Sequence, residues 1–408
     1  MIQLESLEVE NFRSIKQQRV DFAPITVFYG PNGSGKSSLL YSLLLMKNVL
    51  LNLERQSGDF YNFGFANLGN FRAVVFNHDI DEWIRLYLKL NVFNLPVTWS
   101  MQIQKKMAGL GIQIVDQDDH SFNASVGFRH PFMTPEGEQN RDSFRGITVD
   151  YYWDGINGTV RPEKRTSVAA SNVHLLTEIL KAPAKHVRKV AIAPLQMAFS
   201  KGEHLVAKED ASLNSTLYFS EDAVGTLLAT RRYLQSPVSK YLEEITNRTL
   251  RVFSPPGDPN FSINVADQNT GLETELVNDG YGVNRVAWLL ALTLHDETRL
   301  MCIEEPETHL HPTSIRKLVK TFVNIMRNED KRFLFTTHSE VFALAILSEV
   351  ARGHLKPDDV AFYLTSKEGK ETKFERQEIN KHGQVEGGLT SFMEGELEDL
   401  AVLYGETS

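Results

Sequence analysis

Apolar and polar residues alternate along Ile2-Gln3-Leu4-Glu5-Ser6-Leu7-Glu8-Val9, the period of a strand with one buried face. A different pattern follows in Ile25-Thr26-Val27-Phe28-Tyr29, β-branched and aromatic with no polar face, which predicts a fully buried strand. Ser38-Leu39-Leu40-Tyr41-Ser42-Leu43-Leu44-Leu45 then opens a helix. Residues 82–154 are strand-like and rich in hairpin signals, as in Trp83-Ile84-Arg85-Leu86-Tyr87-Leu88-Lys89-Leu90 and Ile147-Thr148-Val149-Asp150-Tyr151-Tyr152-Trp153, and predict an antiparallel lobe. Helical spacing returns over 173–250, broken near Ala182-Pro183 and by the polar span 201–214, and Ser254-Pro255-Pro256-Gly257-Asp258-Pro259 closes that stretch. Further on come a helix around Val286-Ala287-Trp288-Leu289-Leu290, strands at Leu300-Met301-Cys302-Ile303 and Arg332-Phe333-Leu334-Phe335-Thr336-Thr337, and a helix after Ser339. The last elements are a strand over 360–365, a charged hairpin through Lys367-Glu368-Gly369-Lys370, and an acidic helix over 394–403. There is no heptad run long enough for a coiled-coil arm, and no internal repeat.

Between the buried strand and the first helix, Gly30-Pro31-Asn32-Gly33-Ser34-Gly35-Lys36-Ser37-Ser38 matches the full G-x-x-x-x-G-K-S pattern. Glycines let backbone N–H groups wrap an anion, and the helix N-terminus favours negative charge. Lys36 is placed to reach the β- and γ-phosphates of a nucleotide, and Ser37 to offer its hydroxyl to Mg²⁺.

The strand Leu300-Met301-Cys302-Ile303 ends in Glu304-Glu305-Pro306. Beside such a loop, the first carboxylate can join a Mg²⁺ shell and the second can polarise a water, which makes Glu304 the metal candidate and Glu305 the general base. The next strand ends in His338-Ser339, and a neutral imidazole at a strand tip can contact a γ-phosphate or orient water. A lone histidine there is more often a packed residue or a helix-capping neighbour, and only its order after the Glu pair favours the catalytic role. Asn278-Asp279-Gly280-Tyr281-Gly282 opens another helix and offers a second anion-binding terminus, which the chain's own loop does not require; the competing reading is a turn with an Asn or Asp cap.

In this order of parts the chain resembles the ABC-type ATPase heads of the SMC, RecF and OLD (overcoming lysogenization defect) group. Asn11-Phe12-Arg13-Ser14, the P-loop, Asn278-Asp279-Gly280, Glu304-Glu305-Pro306-Glu307-Thr308-His309-Leu310-His311-Pro312 and Thr337-His338-Ser339 carry the likeness, and the wording of the acidic stretch looks most like stand-alone OLD-type ATPases. The resemblance implies an α/β P-loop core with a mixed or parallel sheet, an antiparallel β lobe and a helical insertion. The expected segments are 1–170, 171–258 and 259–408. It also implies ATP and Mg²⁺ as cofactors and adds Arg13 to the nucleotide-binding set. Asn278, Asp279, Gly280 and Gly282 would complete the site of a second subunit in a homodimer or higher homo-oligomer. Implied settings are anti-phage defence or DNA maintenance, with an effector protein (a nuclease or toxin) or DNA as partner, and the alternative is a slowly hydrolysing scaffold that holds an effector. The chain departs from the family pattern at Asn278, where serine is usual, and at Glu304, where aspartate is usual. No glutamine marks the Q-loop; residues 71–78 occupy its place, with Asn77 the polar residue there.

Composition narrows the setting. The chain has 408 residues, 42% hydrophobic and 23% charged, enough for a large core in two lobes. The single cysteine, Cys302, cannot form an internal disulfide and reads as a packing residue. The first residues carry acids where an export signal needs bases, and the apolar stretches 39–53 and 286–294 are short or broken by Lys47 and Asn48, so a cytoplasmic protein without a membrane span is expected. A formal charge of −9 argues against a generally basic nucleic-acid coat, and Lys105-Lys106, 161–165, 185–189 and Arg231-Arg232 lack interleaved aromatics. Beyond His338, about seventy residues are too few for a Toprim nuclease domain of ordinary size, so a nuclease or toxin would come from another chain. The acids Glu394, Glu396, Glu398 and Asp399, and the pair His309 and His311, read as a solvated face and as loop residues rather than metal sites.

Overall fold

The computed structural model describes residues 2–52, 60–129, 139–164, 167–206, 212, 216–255, 258–386, 388 and 389; the acidic stretch 394–403 lies outside them. Strands β1 (Ile2–Phe12) and β2 (Ile15–Asp21) form a hairpin so tight that Asn11 and Arg13 take φ values of 55° and 54°. Strand β3 (Ile25–Tyr29) is buried at every position, and α1 (Lys36–Leu51) follows the glycine-rich loop. A single turn, α2 (Phe71–Val74), leads to β4 (Ile84–Val92), β5 (Leu95–Gln104), β6 (Met107–Val115), β7 (Ser121–Arg129), β8 (Asn140–Phe144), β9 (Ile147–Trp153) and β10 (Gly158–Pro162). Period-two burial is clearest in β5, where Leu95, Val97, Trp99, Met101 and Ile103 point inward.

The middle of the chain holds α3 (Ser167–Val187), β11 (Val190–Ala193), β12 (Glu203–Leu205), α4 (Glu221–Thr230), α5 (Arg232–Thr246), β13 (Arg248–Phe253), β14 (Asn260–Asp267) and β15 (Glu273–Glu275). It ends with α6 (Tyr281–Leu294), β16 (Leu300–Glu304), α7 (Pro312–Glu329), β17 (Arg332–Thr337), α8 (Glu340–Ala351), β18 (Val360–Glu368) and β19 (Glu371–Gln377). The break expected near Ala182-Pro183 does not occur: α3 runs on to Val187 with Pro183 inside it. Leu176, Ile179, Leu180, Ala184 and Val187 form one buried stripe, and its packing outweighs the hydrogen bond that the proline cannot donate. Nor is the span 201–214 wholly loop, because β12 within it pairs with β14, Glu203 opposite Ser262.

Two compact units share the chain in alternating segments, the first from 1–22, 37–190 and 367–374, the second from 23–36, 191–366 and 375–408. The first unit contains the antiparallel sheet β2-β1-β4-β5-β6-β7 and the smaller sheet β10-β9-β8. Helix α3 packs on the smaller sheet: the Trp153 indole N–H donates to the Leu180 carbonyl at 3.0 Å, and a Cβ on Gly158 would lie 2.7 Å from Leu180 Cβ.

The second unit contains β11, β16, β17, β3 and β18 side by side in that order, with β16, β17, β3 and β18 parallel, and a sheet of β12, β14, β13 and β15. Its core joins Trp288 and Leu289 of α6 with Phe322 of α7, Phe333 and Phe335 of β17 and Phe342 of α8. Among the described residues no helix is long and apolar enough to cross a membrane.

Candidate functional site

After Tyr29 the chain turns through Gly30, Gly33 and Gly35 at φ values of 141°, 74° and 106°. A Cβ on Gly30 would lie 2.2 Å from the Thr365 carbonyl oxygen of β18, so only glycine lets the loop leave its strand there. Asn32 and Gly33 are exposed at the rim and Ser34 is buried. Lys36 turns its ammonium back into the loop, donating to the carbonyls of Gly30 at 2.8 Å and Pro31 at 2.9 Å. Burial pushes its pKa down, and the nearby Glu305 and Glu307 oppose that shift. A cationic group ringed by glycine-rich backbone is suited to an anion. Ser37 and Ser38 continue the chain into α1 of the first unit, where the Arg13 guanidinium lies 5.3 Å over the Tyr41 ring.

Within the second unit, register brings the acidic turn beside the histidine. Glu304, the last residue of β16, stands opposite Thr336 of β17, and Thr337 stands opposite Tyr29 of β3. Glu305 takes a left-handed φ of 46°, its N–H donating to the Thr336 carbonyl at 2.8 Å while its own carbonyl accepts from the Thr308 N–H and hydroxyl. That kink carries the Glu305 carboxylate to 3.1 Å from His338 Nδ1, with the imidazole half-exposed. Behind this pair the Thr337 hydroxyl donates to the buried Glu307 carboxylate at 2.5 Å. Burial pushes the Glu307 pKa up, Glu305 adds to the shift, and Thr337 and His338 oppose it.

The Asn278-Asp279-Gly280 stretch leads into α6. The Asn278 amide donates to Glu275 at 3.0 Å and Asp279 accepts from Arg248 Nε at 2.8 Å, so neither side chain caps the helix. The N-cap is Gly280, at φ 106° and without a side-chain cap hydrogen bond. A Cβ on Gly282 would lie 2.5 Å from the His309 carbonyl oxygen, and the rings of Tyr281 and His309 meet at 4.7 Å. One turn later comes Arg285, a residue sequence reasoning passed over; it is 1% exposed and donates to the carbonyls of Glu304 at 2.6 Å, Glu305 at 3.4 Å, Pro194 at 3.2 Å and Leu195. The only signal for it was a guanidinium at the head of an apolar helical run.

Other residues singled out by the sequence are engaged as follows. Asn77, in the first unit at φ 53°, accepts from Lys370 Nζ at 2.9 Å. His309 is a loop residue at φ 62°, and the His311 ring accepts from the Thr313 N–H at the start of α7. Asp116, Asp118 and His120 group their ligand atoms, but the Asp116 carboxylate already takes Arg145 Nε at 2.8 Å and the N–H groups of its own turn.

Parallel strands ending in a lysine-bearing glycine loop on one and a carboxylate pair on another define the P-loop ATPase class. Over residues 2–91 and 208–343, more than half its length, the chain matches the AAA ATPase domain and belongs to that family. Its fold is that of an SMC head: the structure of the SmcHead bound to the C-winged helix domain of ScpA aligns with a TM-score of 0.50 and 11% identity over 93% of this chain and 98% of that one. The SMC head domain from Thermotoga maritima gives a TM-score of 0.43 at 10% identity over 92% and 100%. An Smc head with an extended coiled coil, bound to the C-terminal domain of ScpA and derived from Pyrococcus furiosus, gives 0.48 at 11% over 92% and 96%. No curated protein matches the chain.

Arg285→Met should cost about 3 kcal/mol, because it strips several buried carbonyls of a charged donor. Urea unfolding measures this, and an unchanged midpoint would refute the clamp. The raised Glu307 pKa has a pH signature. A carboxyl raised in the fold stabilises it fully below the ordinary carboxylate range, and that contribution is lost as pH rises through the raised value. Wild type should therefore lose stability relative to Glu307→Gln as pH climbs out of that range, and a flat or opposite difference in urea midpoint would count against it.

Proposed function

We propose that the chain is an ATP-hydrolysing head of ABC type that works as a head-to-tail dimer with nucleotide held at the interface. The observation that carries this reading is the Glu305–His338 pair at 3.1 Å on strand tips beside the Lys36 loop. The residues fit a nucleotide: the glycine-only turn at Gly30 leaves open backbone, and Lys36 sets a cation inside it. Gly30, Asn32, Gly33, Ser34, Gly35 and Lys36 would cradle the phosphates, with Ser38 opening the helix behind them and Arg13 joining the nucleotide-binding set. The Glu304 carboxylate and Ser37 hydroxyl are the hard oxygen donors that would hold Mg²⁺. When bound, that ion would neutralise phosphate charge and orient the oxygens.

Glu305 then takes a proton from, or orients, the attacking water, while His338 contacts the γ-phosphate and steadies the carboxylate. The uncapped start of α6, at Asn278, Asp279, Gly280 and Gly282, closes on the nucleotide of the partner subunit. We further infer a switch or motor for a partner, in anti-phage defence or DNA maintenance as in the OLD-type heads the sequence resembles. An effector protein that docks on the head, or DNA, is the partner this predicts.

Lys36→Ala should abolish binding of a fluorescent ATP analogue, whereas Glu305→Gln should bind it normally and lose single-turnover hydrolysis by about a hundredfold or more. Unchanged affinity in the first variant would overturn the nucleotide assignment, and unchanged turnover in the second would remove Glu305 as the base.

Dimer action is tested by complementation. Gly280→Arg should keep protomer ATP affinity and lose hydrolysis, since it places bulk and a cation in the facing site. Mixed with Lys36→Ala, it should regain one composite site per heterodimer, read as ATPase activity that neither variant has alone. Proven heterodimers with no recovery would defeat the trans arrangement.

A further inference from the structure

Resting on the hydrolytic reading above, we propose that Glu307, acting through the Thr337 hydroxyl, is the positioning residue that sets His338 against Glu305. The hydrogen bonds have a fixed direction. Thr337 Oγ1 accepts the Ser339 N–H at 2.9 Å, so the single hydroxyl proton goes to Glu307 Oε1 at 2.5 Å. Ser339 in turn caps α8 by accepting from the Phe342 N–H at 3.3 Å. The residues on both sides of His338 are thereby tied to one carboxylate, while the imidazole itself is half-exposed and touches Glu305. Its place comes from the backbone that the carboxylate holds.

Glu307 leaves the same turn that carries Glu305: the Leu310 N–H donates to the Glu307 carbonyl and the Thr308 N–H to the Glu305 carbonyl. One short turn thus reaches across to β17 twice, with an accessible pair in front, Glu305 and His338, and a buried pair behind, Glu307 and Thr337. Retaining this acid is costly. It is 7% exposed, and its Oε2 has no hydrogen-bond partner, an arrangement that destabilises a fold unless the group fixes a geometry the protein needs. A catalytic pair misplaced by an ångström loses about a hundredfold in rate.

Four variants separate positioning from packing. Thr337→Val keeps the shape and loses the hydroxyl; Thr337→Ser keeps the hydroxyl and loses the methyl. Hydrolysis by Thr337→Val should fall about tenfold to a hundredfold in kcat, with ATP affinity within about twofold of wild type, and Thr337→Ser should restore the rate. Glu307→Met should resemble Thr337→Val, and the double variant should be no slower than either single one, since both cut the same link. Wild-type turnover in Thr337→Val, or a loss in Thr337→Ser as large as in Thr337→Val, overturns the proposal. Glu305→Gln run alongside keeps the two readings apart. If Glu305→Gln also turns over at the wild-type rate the hydrolytic site itself is wrong, and if only Thr337→Val does, the positioning role alone falls.

Discussion

Parallel pairing brings the C-terminal ends of β16, β17 and β3 within a residue of one another, and the proposed chemistry depends on that alignment. Glu304 meets Thr336, Thr337 meets Tyr29, and Tyr29 meets Leu364 across successive strands. Parallel neighbours cannot be joined by a tight turn, so α7 carries the chain from β16 to β17 and α8 carries it towards β18. These strands are largely apolar and buried, Thr26 inside β3 being satisfied by hydrogen bonds to the Ala23 backbone, and charged groups follow at their C-terminal tips. The lysine loop, the carboxylate pair and the histidine, from distant parts of the sequence, all follow the C-terminal ends of these strands.

The second constraint is the Arg285 guanidinium. A buried cation needs acceptors, and the two terminal nitrogens of Arg285 find them in the carbonyls of Pro194, Leu195, Glu304 and Glu305, while its Nε is buried with none. Together with the glycine-only contact of Gly282 on His309, this fastens the start of α6 to the acidic turn. Whatever docks at the start of α6 therefore bears on the backbone that sets Glu305. Under the dimeric reading proposed here, a nucleotide held by the partner and the carboxylate of this chain's own site share one rigid connection.

How far the sequence was readable follows from the range of each signal. The P-loop was legible because its requirements are local: a buried strand, glycines for positive φ, a lysine and a helix. The hairpins of 82–154 were legible from period-two alternation. Pro183 misled because a local helix breaker was outweighed by a buried stripe along the whole of α3. The Asn278 amide donates to Glu275, a contact that the turn before α6 brings about and that spacing along the chain does not record. Arg285 and the buried link of Glu307 were invisible for a related reason. Their roles lie in which carbonyl or hydroxyl the fold sets against them, and no spacing along the chain records that.

Charge gives the last step of the argument. Glu304, Glu305 and Glu307 stand in one turn beside a loop whose inner cation is Lys36, an arrangement that by Coulomb's law should repel a polyanion. Two features lower that repulsion. Burial favours the neutral form of Glu307, and the His338 Nδ1 lies 3.1 Å from the Glu305 carboxylate, within hydrogen-bond reach. The Glu304 carboxylate is buried at the tip of its strand. Under the nucleotide reading proposed above, a hard divalent cation bound with the phosphates would supply the counter-charge that so acidic a turn requires.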